Sequence, residues 1–213
     1  MGELGLTLDH VVIGREGRTL VKISDHVAPG EVLTVMGPSG SGKSTLLSYI
    51  IGTLDPVFEA QGRVILNGTD ITDTAPETRR VGILFQDELL FPHLSVGENL
   101  AFGLRASVKG RSERARQIEA ALDDIGLSGF ANRDPETLSG GQKARVALMR
   151  MLLSGPKALL LDEPFSRLDT ERRGQIRDLV FSQARAKGLP VLLVTHDHAD
   201  AEAAGGRVHE LTD

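Results

Sequence analysis

Directly after an apolar run, the chain reads Gly37-Pro38-Ser39-Gly40-Ser41-Gly42-Lys43-Ser44, and Thr45 then continues into a Leu-rich helical period. The stretch matches the pattern G-x-x-x-x-G-K-[ST] between a predicted strand and a predicted helix. Glycines let successive N–H groups point inward, and the helix N-terminus adds partial positive charge. We therefore predict a phosphate-binding loop in which Lys43 reaches the β- and γ-phosphates and the Ser44 hydroxyl binds Mg²⁺.

This loop indicates a nucleotide phosphate but no class of enzyme, since kinases, GTPases and motor ATPases share it. Around it, short apolar runs alternate with helical periods, which is typical of an α/β protein with a mainly parallel sheet. The first two strands are expected to pair antiparallel. The strand signal disappears between Gln86 and Leu153, which indicates an inserted helical lobe. Predicted strands span residues 4–12, 20–27, 32–36, 63–66, 81–85, 158–162 and 191–195, and predicted helices span 43–53, 96–105, 113–125, 141–153 and 170–187.

The composition argues against several functional classes. Of 213 residues, 24 are Lys or Arg and 29 are Asp or Glu, and the formal net charge of −5 offers no basic field for a nucleic acid. The chain contains no Cys, which excludes disulfides, thiolate metal sites and a cysteine nucleophile. No apolar run approaches the ~18–20 residues that span a bilayer. We expect a cytoplasmic protein that binds no nucleic acid and reaches a membrane only through a partner.

Two carboxylates follow the apolar run 158–161. Asp162 and Glu163 are expected at the carboxyl end of a buried strand, the edge at which open α/β sheets bind ligands. Side chains alternate along a strand, so the two acids cannot do the same work. We predict that Asp162 holds Mg²⁺ through a water molecule and that Glu163 orients and polarises the attacking water.

A second anion site is predicted at Leu138-Ser139-Gly140-Gly141-Gln142, just before an amphipathic helix. Ser139 and the glycine N–H groups would lie at the N-terminus of that helix. One chain has no use for a second γ-phosphate site unless that site faces the nucleotide of another subunit.

Taken in order, these motifs resemble those of the ATP-binding subunits of ABC transporters over essentially the whole chain. The order and approximate spacing of residues 37–44, Gln86, 138–142, Asp162-Glu163, 166–169 and His196 match the family. The resemblance implies a P-loop NTPase (RecA-like) core with an N-terminal antiparallel β subdomain and an inserted α-helical subdomain. It implies one ATP-binding domain, 1–213, with a catalytic core of about 1–86 and 155–213 and a helical subdomain of about 87–154.

The resemblance also assigns roles. ATP and Mg²⁺ are implied, in a head-to-tail dimer whose two sites each combine the loop of one subunit with Ser139, Gly140, Gly141 and Gln142 of the other. Gln86 would sense Mg²⁺ and the attacking water, and His196 would contact the γ-phosphate. Lys43, Gln86, Glu163 and His196 are the implied catalytic residues, and Ser44, Gln86 and Asp162 the implied metal-binding ones. Asp169 would lie at the dimer seam.

Within the family, residues 90–100 are similar to the segment of bacterial importer subunits that receives a permease, and residues 82–87 and 165–169 are similar to those of short YnjD-like subunits. The implied partners are integral membrane permease subunits and, indirectly, a solute-binding protein. The protein would lie on the inner face of the cell membrane. An exporter subunit, a division-type regulator and a heterodimer remain alternatives, and the cargo is not encoded in this chain.

The chain departs from the family where an aromatic residue usually stacks on adenine. Residues 11–15 contain no aromatic side chain, and either Ile13 or Arg15 is predicted to cover the base. Stacking is worth only about 0.5–1.5 kcal/mol, so we expect a modest preference for ATP over GTP. The chain ends at Asp213, so we expect no regulatory barrel of the kind found in sugar and polyamine importer subunits.

Overall fold

A computed structural model describes residues 3–87, 89–168 and 170–211. The strands are β1 (Leu6–Arg15), β2 (Arg18–Val27), β3 (Val32–Met36), β4 (Glu59–Leu66), β5 (Thr69–Asp70), β6 (Val81–Leu84), β7 (Ala158–Asp162), β8 (Val191–Val194) and β9 (Arg207–Glu210). The α-helices are α1 (Lys43–Ile51), α2 (Val96–Gly103), α3 (Arg111–Asp124), α4 (Gly140–Leu153), α5 (Thr170–Ala186) and α6 (His198–Ala204).

The strands form two sheets. One is antiparallel, in the order β2-β1-β4-β5, and the other has the order β6-β7-β8-β3-β9. Parallel pairing joins β7 to β8, β8 to β3 and β3 to β9. The central strands β3, β7 and β8 are buried over nearly their whole length, as expected of apolar runs covered on both faces. The predicted α/β class and the antiparallel pairing of the first two strands are confirmed.

Some boundaries and elements differ from the sequence-based expectation. Strand β1 continues to Arg15, beyond the predicted end at residue 12, because Gly14, a residue type that often marks a turn, here pairs with Thr19 of β2. Among the elements that were not predicted, β5 is two residues long, α6 is too short to show a helical period, and β9 is an exposed edge strand without an apolar run.

The chain divides into two compact units. The first comprises Met1–Ile83, Lys157–Glu163 and Phe181–Asp213, and its core packs Leu46, Leu47 and Ile50 of α1 with buried residues of both sheets. The second comprises Leu84–Pro156 and Pro164–Val180 and contains α2, α3 and α4. It includes 164–180, which the sequence-based division assigns to the catalytic core.

Candidate nucleotide site

The glycine-rich loop runs from the end of β3 into the first turn of α1. Gly40 and Gly42 have φ angles of 87° and 88°, in the left-handed region that a Cβ disfavours. Gly42 also lies against β2, since a Cβ at this position would be 2.7 Å from Val21 Cγ2. It is the N-cap residue of α1 and has no side chain with which to cap it. The first N–H groups of the helix are therefore left for an anion, which is how helix N-termini bind phosphate.

Lys43 lies over this loop. Its side chain is largely buried, and its Nζ donates hydrogen bonds to the main-chain oxygens of Gly37 and Pro38, each at 2.7 Å. Both acceptors belong to the loop that the ammonium would share with a phosphate. Because a phosphate oxygen is a stronger acceptor for an ammonium than a neutral carbonyl, the bound phosphate can take over these hydrogen bonds. The position suits the phosphate-binding role predicted for Lys43.

Ser44 and Asp162, separated by 118 positions in sequence, lie side by side. Ser44 Oγ donates to Asp162 Oδ1 at 3.4 Å, and Asp162 is the last residue of β7. Burial raises the pKa of the Asp162 carboxyl above its ordinary value, and the Ser44 hydroxyl acts in the opposite direction. A hydroxyl and a carboxylate are hard oxygen ligands of the kind Mg²⁺ prefers. A cation placed here would offset the cost of burying the carboxylate, so these residues fit the ion.

Glu163 and His196 also meet. Glu163 Oε1 lies 2.9 Å from Nδ1 of His196, which follows β8 closely in the chain. The Glu163 N–H donates to Val194 O at 2.9 Å. Its φ of 45° is left-handed, which is unfavourable for a residue before a proline. Backbone strain of this kind is concentrated at functional sites.

The two pairs share one edge of the parallel sheet. Strands β3, β8 and β7 are neighbours, and the loop, His196 and the Asp162-Glu163 pair follow their carboxyl ends. A glycine-rich loop, a hydroxyl beside a carboxylate, and a carboxylate hydrogen-bonded to an imidazole therefore meet where α/β sheets bind ligands. Chemically, this set can hold a polyphosphate with a divalent cation and take a proton from water.

In the second unit, Ser139 is the N-cap residue of α4. Its Oγ accepts from Gln142 N at 3.4 Å, and the Gln142 side chain accepts from Ser139 N at 2.9 Å, which completes a capping box. Ser139 and Gly140 are exposed, and a Cβ on Gly140 would meet no atom within 4 Å. A partner can therefore approach this helix N-terminus closely, as the predicted second anion site requires.

Gln86 follows the end of β6 and is exposed in the second unit. It lines a narrow cavity together with Ala144, Pro164, Arg167 and Ile176.

Next to Gln86 in the chain, the Asp87 carboxylate forms an ion pair with the Arg167 guanidinium, and both side chains are about half exposed. Sequence analysis missed this pair: the two residues are 80 positions apart, and the only signal is opposite charge beside Gln86 and shortly after Glu163. Asp169 lies outside the described residues.

Apolar side chains are exposed in the segment that follows Gln86. Leu89 and Phe102 are 58% and 69% exposed. A groove of about 280 Å³ lies between Leu89, Leu90 and Pro92 on one side and Pro135, Glu136 and Lys143 on the other. The buried Asn99 shapes this segment by accepting from Phe91 N at 2.8 Å and donating to the oxygens of Phe91, Leu94 and Ser95.

The two residues predicted to cover the nucleotide base, Ile13 and Arg15, differ in their exposure to solvent. Ile13 is fully buried in the core of the first unit, so the prediction that it could cover a base is wrong. Arg15 has a half-exposed side chain at the end of β1, where its Nε donates to Glu16 Oε1 at 3.3 Å. Regular alternation would place Ile13 and Arg15 on the same face, but the register shift between Ile13 and Gly14 breaks the alternation, which leaves Arg15 exposed as the candidate.

Comparison with known proteins gives a consistent result. The model of the ABC transporter family matches residues 20–166. The ABC transporter ATP-binding protein YnjD of Escherichia coli K12 is 50% identical over 188 residues, which cover 88% of this chain and 86% of YnjD. The thiamine import ATP-binding protein ThiQ of Histophilus somni is 46% identical, covering 87% of this chain and 86% of ThiQ.

A third relative is longer. The spermidine/putrescine import ATP-binding protein PotA of Frankia alni is 42% identical over 98% of this chain, but the match covers only 46% of PotA.

Among the residues that the structure describes, no helix combines the length and hydrophobicity needed to cross a bilayer.

Proposed function

Because this chain belongs to the ABC transporter family, we propose that its two phosphate-facing regions work together in a head-to-tail homodimer that drives solute import. The chain is an ATP-binding ATPase of the import type. The observation that carries the proposal is the meeting of the Ser44–Asp162 and Glu163–His196 pairs at the sheet edge beside the glycine-rich loop.

In the proposed reaction, the loop N–H groups and Lys43 hold the phosphates of ATP, while Ser44, Asp162 and Gln86 hold Mg²⁺. The ion supplies charge neutralisation on the phosphates. Glu163 orients a water molecule and accepts its proton while the γ-phosphoryl group passes directly to that water. His196 orients the Glu163 carboxylate and contacts the γ-phosphate. No bond to the protein forms, so the rate enhancement comes from positioning and electrostatics.

The dimer can be tested by mixing variants. In a head-to-tail dimer, Lys43 of one subunit and Ser139 of the other serve one ATP, so Lys43→Ala and Ser139→Arg proteins are each inactive. A heterodimer of the two has one intact site, and an equal random mixture should recover about a quarter of wild-type activity if the sites are independent.

The matched control mixes Lys43→Ala with Glu163→Gln. Both residues belong to the same subunit's half of a site, so this mixture should recover nothing. Equal recovery in both mixtures would contradict the head-to-tail arrangement, and recovery in neither would contradict a head-to-tail dimer with independent sites.

We further propose that residues 1–213 form one ATP-binding domain, with a core of about 1–86 and 155–213 and a helical subdomain of about 87–154. Integral membrane permease subunits would dock on the exposed apolar segment around Leu89 and Phe102 and hold the protein on the inner face of the cell membrane. The groove between Leu90 and Pro135 supports this, since its lining combines apolar Leu and Pro side chains with charged Glu136 and Lys143, a mixture that suits a short amphipathic helix. A solute-binding protein would act through the permease.

Identification of the membrane partners tests the importer role. The Glu163→Gln protein, held in Mg-ATP, is purified from native membranes and compared with the same preparation without nucleotide. We expect a multi-span permease and a solute-binding protein in the first sample. Recovery of an exporter permease or of division proteins alone would replace the importer role and leave the ATPase chemistry in place.

A further inference from the structure

The short helix α1 carries Lys43, predicted to bind phosphate, and Ser44, predicted to bind Mg²⁺. Its nine residues, Lys43–Ile51, span about 14 Å at 1.5 Å per residue. Lys43 and Ser44 lie at its N-terminal end. Since the helix is rigid over this length, whatever fixes its C-terminal end also fixes these two side chains.

One side chain holds that C-terminal end. The Arg79 guanidinium donates from Nη1 to the main-chain oxygens of Tyr49 and Ile50, each at 2.9 Å. It also donates from Nε to Thr74 O at 2.9 Å and from Nη2 to Thr72 O. Arg79 is only 6% exposed, and its hydrogen bonds to Tyr49 and Ile50 are buried.

The backbone of α1 is shaped to admit the guanidinium. Gly52 ends the helix with a φ of 85°, and its N–H bonds to the oxygens of Ser48 and Tyr49. A Cβ at Gly52 would lie 2.6 Å from Arg79 Cζ, so the group rests directly against the chain where the helix stops. Only glycine combines this conformation with this close approach.

The charge at this position matches its surroundings. The last carbonyls of a helix carry partial negative charge, which a buried cation stabilises. Burial lowers the pKa of Arg79 from its ordinary value, while Tyr49 and Asp73 act to raise it. A planar guanidinium can reach several carbonyls at fixed angles, which the compact ammonium of a lysine cannot do.

The same guanidinium also holds the segment that leads to Gln86. Thr72 and Thr74 lie in the connection between β5 and β6, and Arg80, with a left-handed φ of 56°, accepts from Lys157 N at 2.7 Å. Strand β6 starts immediately afterwards, and Gln86 follows its end by two residues. One side chain thus fastens the C-terminal end of α1 to the connection that precedes β6.

We propose that Arg79 is a positioning residue for ATP hydrolysis: by fastening the C-terminal end of α1 to residues 72–80, it fixes Lys43 and Ser44 relative to Asp162. The inference rests on the proposed ATPase function. A displacement of about 1 Å at reacting groups can reduce a rate about 100-fold. Binding of phosphate by several loop N–H groups is less sensitive to such a shift, so the effect should fall on kcat.

The test compares three variants with the wild type. Arg79→Lys keeps the charge without the planar fork, and Arg79→Gln removes the charge. Ile23→Ala, in the buried part of β2, weakens the core of the same unit without removing a hydrogen bond from α1. The melting temperature of each protein is measured first. The Kd for ADP and the kcat and KM for Mg-ATP are then measured well below the lowest of these melting temperatures.

We expect kcat to decrease from wild type to Arg79→Lys to Arg79→Gln, by at least ~10-fold at the first step, with the Kd for ADP changed less than about threefold. Ile23→Ala should keep the wild-type kcat. Wild-type kcat and KM in Arg79→Lys would overturn the inference, as would an equal loss of kcat in Ile23→Ala. If Arg79→Gln fails to fold, the comparison of Arg79→Lys with Ile23→Ala still decides. ATP hydrolysis by the wild-type protein is measured in parallel. Its absence would contradict the proposed ATPase function, whereas the comparison of variants tests only the role of Arg79.

Discussion

Replacing Glu163 by Gln isolates the role of one negative charge. The amide has nearly the shape of the carboxylate, so it can keep the main-chain bond to Val194 and a hydrogen bond to His196, 2.9 Å away. ATP binding depends on the loop N–H groups and Lys43, and its Kd should change less than about threefold. Because the amide cannot accept the proton of the attacking water, the rate of hydrolysis should fall about 10²–10⁴-fold. At 1.36 kcal/mol per tenfold, the activation free energy should rise by about 2.7–5.4 kcal/mol.

Single-turnover hydrolysis, with protein in excess over ATP, measures this change in the chemical step apart from product release. Equilibrium titration gives the Kd, and sedimentation in Mg-ATP should detect a trapped dimer. Glu202→Gln removes an exposed carboxylate on α6 of the same unit and should keep the wild-type rate. Hydrolysis at the wild-type rate by a Glu163→Gln protein that binds ATP normally would refute the role of Glu163 as the base.

Three further predictions concern the described side chains. Asp162→Asn should abolish Mg²⁺-dependent hydrolysis yet raise the melting temperature at pH 7 without nucleotide. Burial raises the Asp162 pKa, so ionisation opposes folding, and the gain in thermal scans should shrink as the pH falls and the carboxyl protonates in both states. For the half-exposed Asp87–Arg167 pair, a double-mutant cycle of Asp87→Asn and Arg167→Gln in urea should give a coupling free energy of about 0.2–1 kcal/mol that decreases with salt. With Arg15 in place of an aromatic residue, competition titrations should show GTP displacing ATP at a modest excess; strong exclusion of GTP would contradict this.

Local sequence patterns determine the parts of the site that are encoded within a few residues. The loop 37–44, the end of the strand at Asp162 and the helix start at Ser139 each combine a residue type with a local conformation, and the structure has all three where the sequence places them. The apolar runs of β3 and β7 give the predicted strand bounds for the same reason. Their burial in a parallel sheet leaves little freedom in where they begin and end.

Tertiary packing decides which distant side chains meet. The hydrogen bond between Glu163 and His196, the four main-chain acceptors of Arg79 and the ion pair of Asp87 with Arg167 join parts of the chain that no local pattern relates. The burial of Ile13 also follows from strand orientation in the folded sheet, and the register shift after Ile13 exposes Arg15 instead of burying it on the same face. A sequence pattern specifies backbone conformation over one turn or strand, whereas contacts across tens of residues depend on how the whole core packs.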